Sequence, residues 1–250
     1  MMTGMWALYA REVKRFQKIF LDTVFSPLVT IGLYLSVFGV VAGDRVIGNL
    51  PYLAFVYVGL LSMMLINSSF SNPSFALIIA KNVGSIIDLQ LVPIRNWQIG
   101  IAYALAALAR GIITLSIAVV VTIWFIPLHG IAHPFLLILA IGLTGIEFGM
   151  LGVTFGFWAK NFESLTFMTT FVMQPMIFLA GVFYPVATLP HPWGIVSQFN
   201  PIHHNINFIR YAVTGYSDGT PWISIIVVGG LTLVIFAVMN FVTRRNLQIS

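Results

Sequence analysis

An all-α integral membrane protein with six transmembrane helices is predicted for this chain, and three observations predict it. Of its 250 residues, 59% are hydrophobic and 8% charged, with a mean hydropathy of +0.97, whereas a soluble domain carries about 25% charged residues. Six apolar runs reach the roughly 20 residues that a helix needs to cross a bilayer core. The third observation is the stretch QPMIFLAGVFYPVATLPHPWGIVSQFNP, from Gln174 to Pro201, which begins as a span and then breaks. Pro185, Pro190, Pro192 and Pro201 cannot sit inside an uninterrupted helix, because each lacks an N–H and crowds the preceding turn. Yet the stretch stays apolar and aromatic through Phe178, Phe183, Tyr184, Trp193 and Phe199. Non-helical backbone at membrane depth persists only against protein or a water-filled cavity. Residues 184–210 therefore read as a broken, partly re-entrant helical hairpin before the last span.

Taken in order, residues 3–22 form an amphipathic helix. Trp6, Tyr9, Val13, Phe16 and Phe20 recur at helical spacing on one side, and Arg11, Lys14, Arg15 and Lys18 fall on the other. A basic face opposite an aromatic one suits a helix lying in the headgroup plane. Spans follow at about 24–42, 51–71, 97–125, 134–158, 165–183 and 221–243. Trp97, Trp124, Trp158, Trp193 and Trp222 stand near their ends, as interfacial anchors do. The chain reads as one domain over 1–250, with no linker, low-complexity tract or convincing repeat. No cleavable signal peptide is expected, since the first residues lack a short apolar core before a small-residue site.

Counting Lys and Arg by side orients the bundle. One side holds Arg11, Lys14, Arg15, Lys18, Lys81, Arg95, Lys160, Arg244 and Arg245; the other holds Arg45 and Arg210. The positive-inside rule places both termini in the cytoplasm and the hairpin outside. The net charge of +5 is no nucleic-acid footprint, because the basic residues flank spans instead of lining one face. The lipid bilayer is the expected surroundings.

Between spans two and three, residues 73–95 are cytoplasmic on this reading, yet apolar. Ile86, Ile87, Leu89, Leu91 and Val92 surround Asp88, and Pro93 ends the helix. An exposed apolar surface of this kind marks a partner site; the alternative is a helix lying flat on the membrane.

The order of elements resembles the type-2 permease family of ATP-binding-cassette exporters, over nearly the whole chain. The run Gly181-Val-Phe-Tyr184-Pro185, then Leu189-Pro190, Trp193, Asn200-Pro201 and Arg210, is similar to the family's "G-v-f-y-P … l-P … N-P … R" signature. Gly84 through Asp88 to Pro93 resembles its "g-t-i-e-e-l-l-v-t-P" coupling segment, with Ile87 where an acid is common and Gln90 where leucine is. Arg110-Gly111 resembles the family's "a-r-g" in span three. The resemblance implies a homodimer in a bacterial inner membrane, enclosing a path and driven by two cytoplasmic ATPase subunits. On this resemblance Gly84, Ile87, Asp88, Leu89 and Pro93 would couple to the ATPase. Gly181, Tyr184, Pro185, Pro190, Trp193, Asn200 and Pro201 would build the outer gate, and the substrate would be exported by alternating access.

This chain carries no G-x-x-x-x-G-K-[ST] phosphate loop, so ATP and magnesium are expected on the partner subunit. H-E-x-x-H is absent and no serine within a span lies in a G-x-S-x-G, and no catalytic, cofactor or metal site is expected; His203-His204 with His191 lack a nearby carboxylate in sequence. Charged residues inside spans are functional candidates. Arg110 and Glu147 both lie roughly 16–20 Å deep at ~1.5 Å per residue. Three readings stay open: a structural ion pair, a path-lining Glu147, or an unpaired protonated acid. Gly142, Gly145, Gly149, Gly152 and Gly156 make a small-residue stripe on span four, and Gly100, Ala104, Ala107 and Gly111 another on span three. If the stripes face each other, Glu147 looks away from Arg110. A self-sufficient secondary transporter or channel using Arg110 and Glu147 is the alternative function. The aliphatic spans point to an amphipathic, drug-like or lipid-like substrate, with polysaccharide as the other possibility.

Overall fold

The computed structural model describes residues 2–17, 20–42, 45–91, 94–126 and 130–247. The architecture is helical: α1 (Met2–Gln17), α2 (Phe20–Ala42), α3 (Tyr52–Val83), α4 (Ile86–Leu91), α5 (Asn96–Thr122), α6 (Pro134–Trp158), α7 (Phe162–Phe167), α8 (Gln174–Leu179), α9 (Trp193–Gln198), α10 (Pro201–Thr214) and α11 (Pro221–Leu247). A single small antiparallel ribbon, Val46–Ile47 against Leu50–Pro51, turns at Gly48 between α2 and α3. Among the described residues, five helical segments are long and apolar enough to cross a membrane: α3, α5 with its 3-10 extension to Phe125, α6, the α7–α8 segment, and α11. The fold is that of an all-α membrane protein, with α2, apolar over Phe25–Val40, as the further candidate.

At the centre stands α3, buried over most of its length and packed most extensively on α6. The expected end of the second span near residue 71 is corrected. The helix continues through Pro73 to Val83, so the first part of segment 73–95 belongs to α3. Two contacts hold it against α6 there. The single hydroxyl proton of Ser74 is shared between Phe70 O at 2.6 Å and Gly152 O at 3.1 Å, tying the turn after the proline to α6. The Pro73 ring also fits against Gly152, where a Cβ would stand 2.7 Å from Pro73 Cγ. The α6 glycines thus divide between two crossings: Gly152 and Gly156 meet Phe70, Ser74 and Leu77 of α3, while Gly145 and Gly149 meet Leu108 and Ala104 of α5. Gly142 has open space.

Helix α1 also differs from the expected facing. Met5, Leu8, Glu12 and Phe16 are buried, whereas Trp6 is 51% exposed. The apolar contact runs one residue off the aromatic stripe because α1 packs on α5, whose Tyr103 hydroxyl accepts a bond from Arg11 at 3.2 Å. Lys18, assigned to the basic face, lies outside the described residues.

Between α7 and α8 the helix widens into a π turn over Met168–Met173, and Gln174 N–H reaches Thr169 O, five residues back. Pro175 follows at once and denies its carbonyl partner a donor. The segment stops at Leu179, short of the expected 183, because Gly181 turns with φ 81°.

Candidate functional site

The expected coupling segment begins at Gly84, which ends α3 in the left-handed conformation at φ 80°, its N–H bonding Lys81 O. An added Cβ would meet nothing within 4 Å, so the constraint at Gly84 is backbone conformation and not space. The six-residue α4 follows. Ile87 is 56% exposed and Asp88 is exposed beside it. Leu89 corrects the reading of an apolar contact offered outward: it is 2% exposed and belongs to the apolar cluster of Met5, Leu8 and Leu77. Leucine at that position holds α4 down, and Ile87 with Asp88 forms the projecting knuckle. Pro93 lies outside the described residues. The base beneath is tied together by Lys81, whose Nζ donates to Phe157 O and to Ala159 O, capping the end of α6.

The signature residues come together at the opposite end of α3. Arg210 of α10 is fully buried, with Nη2 donating to Gly181 O at 2.8 Å and its guanidinium 3.7 Å from the Phe55 ring centroid. Burial pulls its pKa down to about 10 against the pull of Asp218 and Tyr216, so it stays protonated at neutral pH. Gly59 makes room, because a Cβ there would stand 3.1 Å from Arg210 Nη2 and 3.0 Å from Val182 Cα. Asn200 caps α10, accepting from Ile202 N–H at 3.0 Å and donating to Met176 O at 2.6 Å, with Pro201 in the first turn. Tyr52 OH donates to Phe183 O at 3.0 Å and Tyr184 OH to Phe178 O at 2.7 Å. His203 Nδ1 lies 3.1 Å from Ala180 O, and His204 bridges Gln198 O and Ser224 Oγ. Arg210 and Gly181 thus form the lock, Tyr184 and Asn200 tie down the backbone before it through Phe178 O and Met176 O, and Pro185 starts the 3-10 turn; Pro190 and Trp193 are exposed at its rim.

Two members of this lock were not legible in the sequence. Asp218 accepts from Val186 N–H, and Asn207 Oδ1 accepts from Asp218 N–H at 2.8 Å while Nδ2 donates to Ser217 and Ser224 hydroxyls. The signal available was a Ser-Asp-Gly turn after a helix, which names a turn and no distant partner.

Of the three readings for Arg110 and Glu147, the ion pair does not form. Arg110 Nη1 donates to Asn72 Oδ1 at 3.3 Å. Glu147 is fully buried and faces α10, where Asn205 Nδ2 donates to Oε2 at 3.3 Å, and Thr144 Oγ1 donates to Asn205 Oδ1 at 2.8 Å. The close approach of Gly149 to Ala104 brings the two stripes together there and turns Glu147 away. Asn72 also accepts from Arg15 Nη2, at 3.3 Å through its backbone oxygen and 3.4 Å through Oδ1. Arg15 in turn pairs with Glu12 at 2.9 Å, and Arg11 with Glu12 at 3.3 Å. Arg11 and Arg15 thus face partly inward, joining α1 to α3 and α5.

Among the described residues, no group of three or more His, Asp or Glu side chains is placed to hold a metal ion. A family model described as ABC-2 type transporter matches residues 3–214. The inner membrane transport permease YadH of Escherichia coli K12 is 30% identical over 215 residues, 85% of this chain and 83% of that protein. Nodulation protein J of Rhizobium leguminosarum bv. trifolii is 27% identical over 223 residues, covering 84% and 81%. Nodulation protein J of Sinorhizobium fredii is 26% identical over 242 residues, covering 94% and 88%.

Proposed function

Because the chain belongs to the ABC-2 type transporter family, we propose that it is the permease subunit of an ATP-binding-cassette exporter in a bacterial inner membrane. Two copies enclose the path, and two cytoplasmic ATPase subunits supply the energy. Both termini and α4 face the cytoplasm, and the α9–α10 hairpin caps the outer end. The observation that carries this reading is the α4 knuckle: Ile87 and Asp88 exposed on a short helix that buried Leu89 clamps to α1 and α3. A push on that knuckle reaches the bundle through a packed contact, since interiors at native density transmit strain. The central α3 then carries it to Phe55 and Gly59, against which the Arg210–Gly181 lock sits. Closure of the ATPases thereby opens the outer gate, releasing an amphipathic, drug-like or lipid-like cargo. A secondary transporter working alone would need Arg110 and Glu147 as a relay, and each is held by a different asparagine.

Purification from the native membrane tests the proposal: co-elution of a nucleotide-binding subunit is expected, and sustained gradient-driven flux by the lone chain would overturn it. Ile87→Asp and Asp88→Arg should each lower ATPase affinity at least about tenfold, as interface hot spots do, while the chain still inserts.

A further inference from the structure

A cleft of about 360 Å³ opens between α2, α3, α5 and α8, within the ~300–1,000 Å³ of small-molecule sites. Its wall is divided. Ser26 and Thr30 of α2, Asn67 and Ser71 of α3, and Gln174 of α8 line one part, with Arg110 as the only charged lining residue described. Ile31, Tyr34, Leu60, Met63 and Met64 line the remainder.

Charge decides what this cleft takes. Behind Arg110 stands Asn72, whose Oδ1 it shares with Arg15. Arg15 and Arg11 both draw on the single carboxylate of Glu12. Among the described residues, three guanidinium groups therefore gather around one acid, and Arg110 has only a neutral oxygen. Among the described residues, Arg110 Nε and Asn72 Nδ2 are buried donors with no acceptor, and Ser68 Oγ of the cleft wall is unpartnered as well. A guanidinium carries five donors and no acceptor, so the complement of this cluster is an acceptor-rich anion. The apolar wall beside it accommodates a hydrocarbon tail.

We propose that this cleft binds an anionic amphiphile, its acidic head group on Arg110 and its tail along Ile31, Tyr34 and Met63. Calling that ligand the cargo rests on the exporter reading; binding itself does not.

The test uses the full-length chain in dodecyl maltoside with a twelve-carbon alkyl phosphate carrying a terminal diazirine, irradiated and mapped by peptide mass spectrometry. Saturable labelling of α2 and α3 near Tyr34 and Met63 is expected. Arg110→Gln should reduce it at least about tenfold, the worth of a hydrogen bond to a charged group, and Arg110→Lys should retain part of it. Met63→Trp keeps the arginine and fills the apolar wall, so it should reduce labelling even if Arg110→Gln fails to fold. Equal labelling by maltoside or trimethylammonium analogues, or labelling unchanged in both variants, would overturn the proposal. Displacement by equimolar inorganic phosphate would overturn the amphiphile in favour of a free anion. Labelling without ATPase co-elution would leave the cleft standing and refute the exporter, and the reverse result would refute the cleft alone.

Discussion

Replacing Arg210 by methionine separates what the buried cation contributes from what it costs. Two contacts are lost: the 2.8 Å bond to Gly181 O and the guanidinium stack 3.7 Å from the Phe55 centroid. A hydrogen bond from a charged donor contributes ~1.5–3 kcal/mol and a desolvated cation–π contact ~2 kcal/mol. Against this, Nε and Nη1 are buried without partners, so the variant escapes part of a desolvation cost of several kcal/mol per ion. Asp218 and Tyr216 offset some of that cost in the native chain, and methionine's flexible stem refills the volume. The expected net loss is about 2–3 kcal/mol, which for a chain of this size lowers the melting temperature by roughly 5–10 °C. Arg210→Lys should lose nearly as much, because an ammonium keeps the charge without the planar fork. Thermal melts of the purified chain in detergent, followed by tryptophan fluorescence, measure this. A melting temperature unchanged or raised in Arg210→Met would refute the reasoning, placing Arg210 among buried charges that apolar residues replace without loss.

Gly152→Val should be more damaging than Gly142→Val. The first drives a side chain into Phe70 O and Pro73 and costs ~1–3 kcal/mol or more, while the second enters open space; parallel melts compare them. Reversing Arg110 and Glu147 together should restore none of the stability lost in either single reversal, since their partners are Asn72 and Asn205; recovery in the double variant would contradict this geometry. Burial lowers the pKa of both His203 and His204 from 6.5, with the Ala180 and Gln198 carbonyl bonds opposing it. The unfolded chain therefore binds protons first, so stability is full above pH 6.5 and falls as pH drops below it. The double variant His203→Gln, His204→Gln should flatten that slope in melts taken across the acid range.

Composition and apolar run length by themselves determined that this is a helical membrane protein, because a chain with so few charges has no soluble core-and-surface solution. Local chemistry also showed that the fifth span gives way to a broken segment, since a proline interrupts a helix whatever surrounds it. Facing was the part that neighbours had to decide. Periodicity drew the α1 stripe through Trp6, but packing on α5 buried Met5, Leu8 and Glu12. Leu89 looked like contact surface, yet it is buried in the apolar cluster of Met5, Leu8 and Leu77. The second span was bounded near residue 71, yet α3 runs on through Pro73, packed on Gly152, to Val83. Depth alone left a pair of Arg110 with Glu147 open, whereas the approach of α6 to α5 at Gly149 and Ala104 turned them toward separate asparagines. A one-dimensional pattern states how often a side chain returns to a face; which helix meets that face is settled only by close contact between elements far apart in the chain.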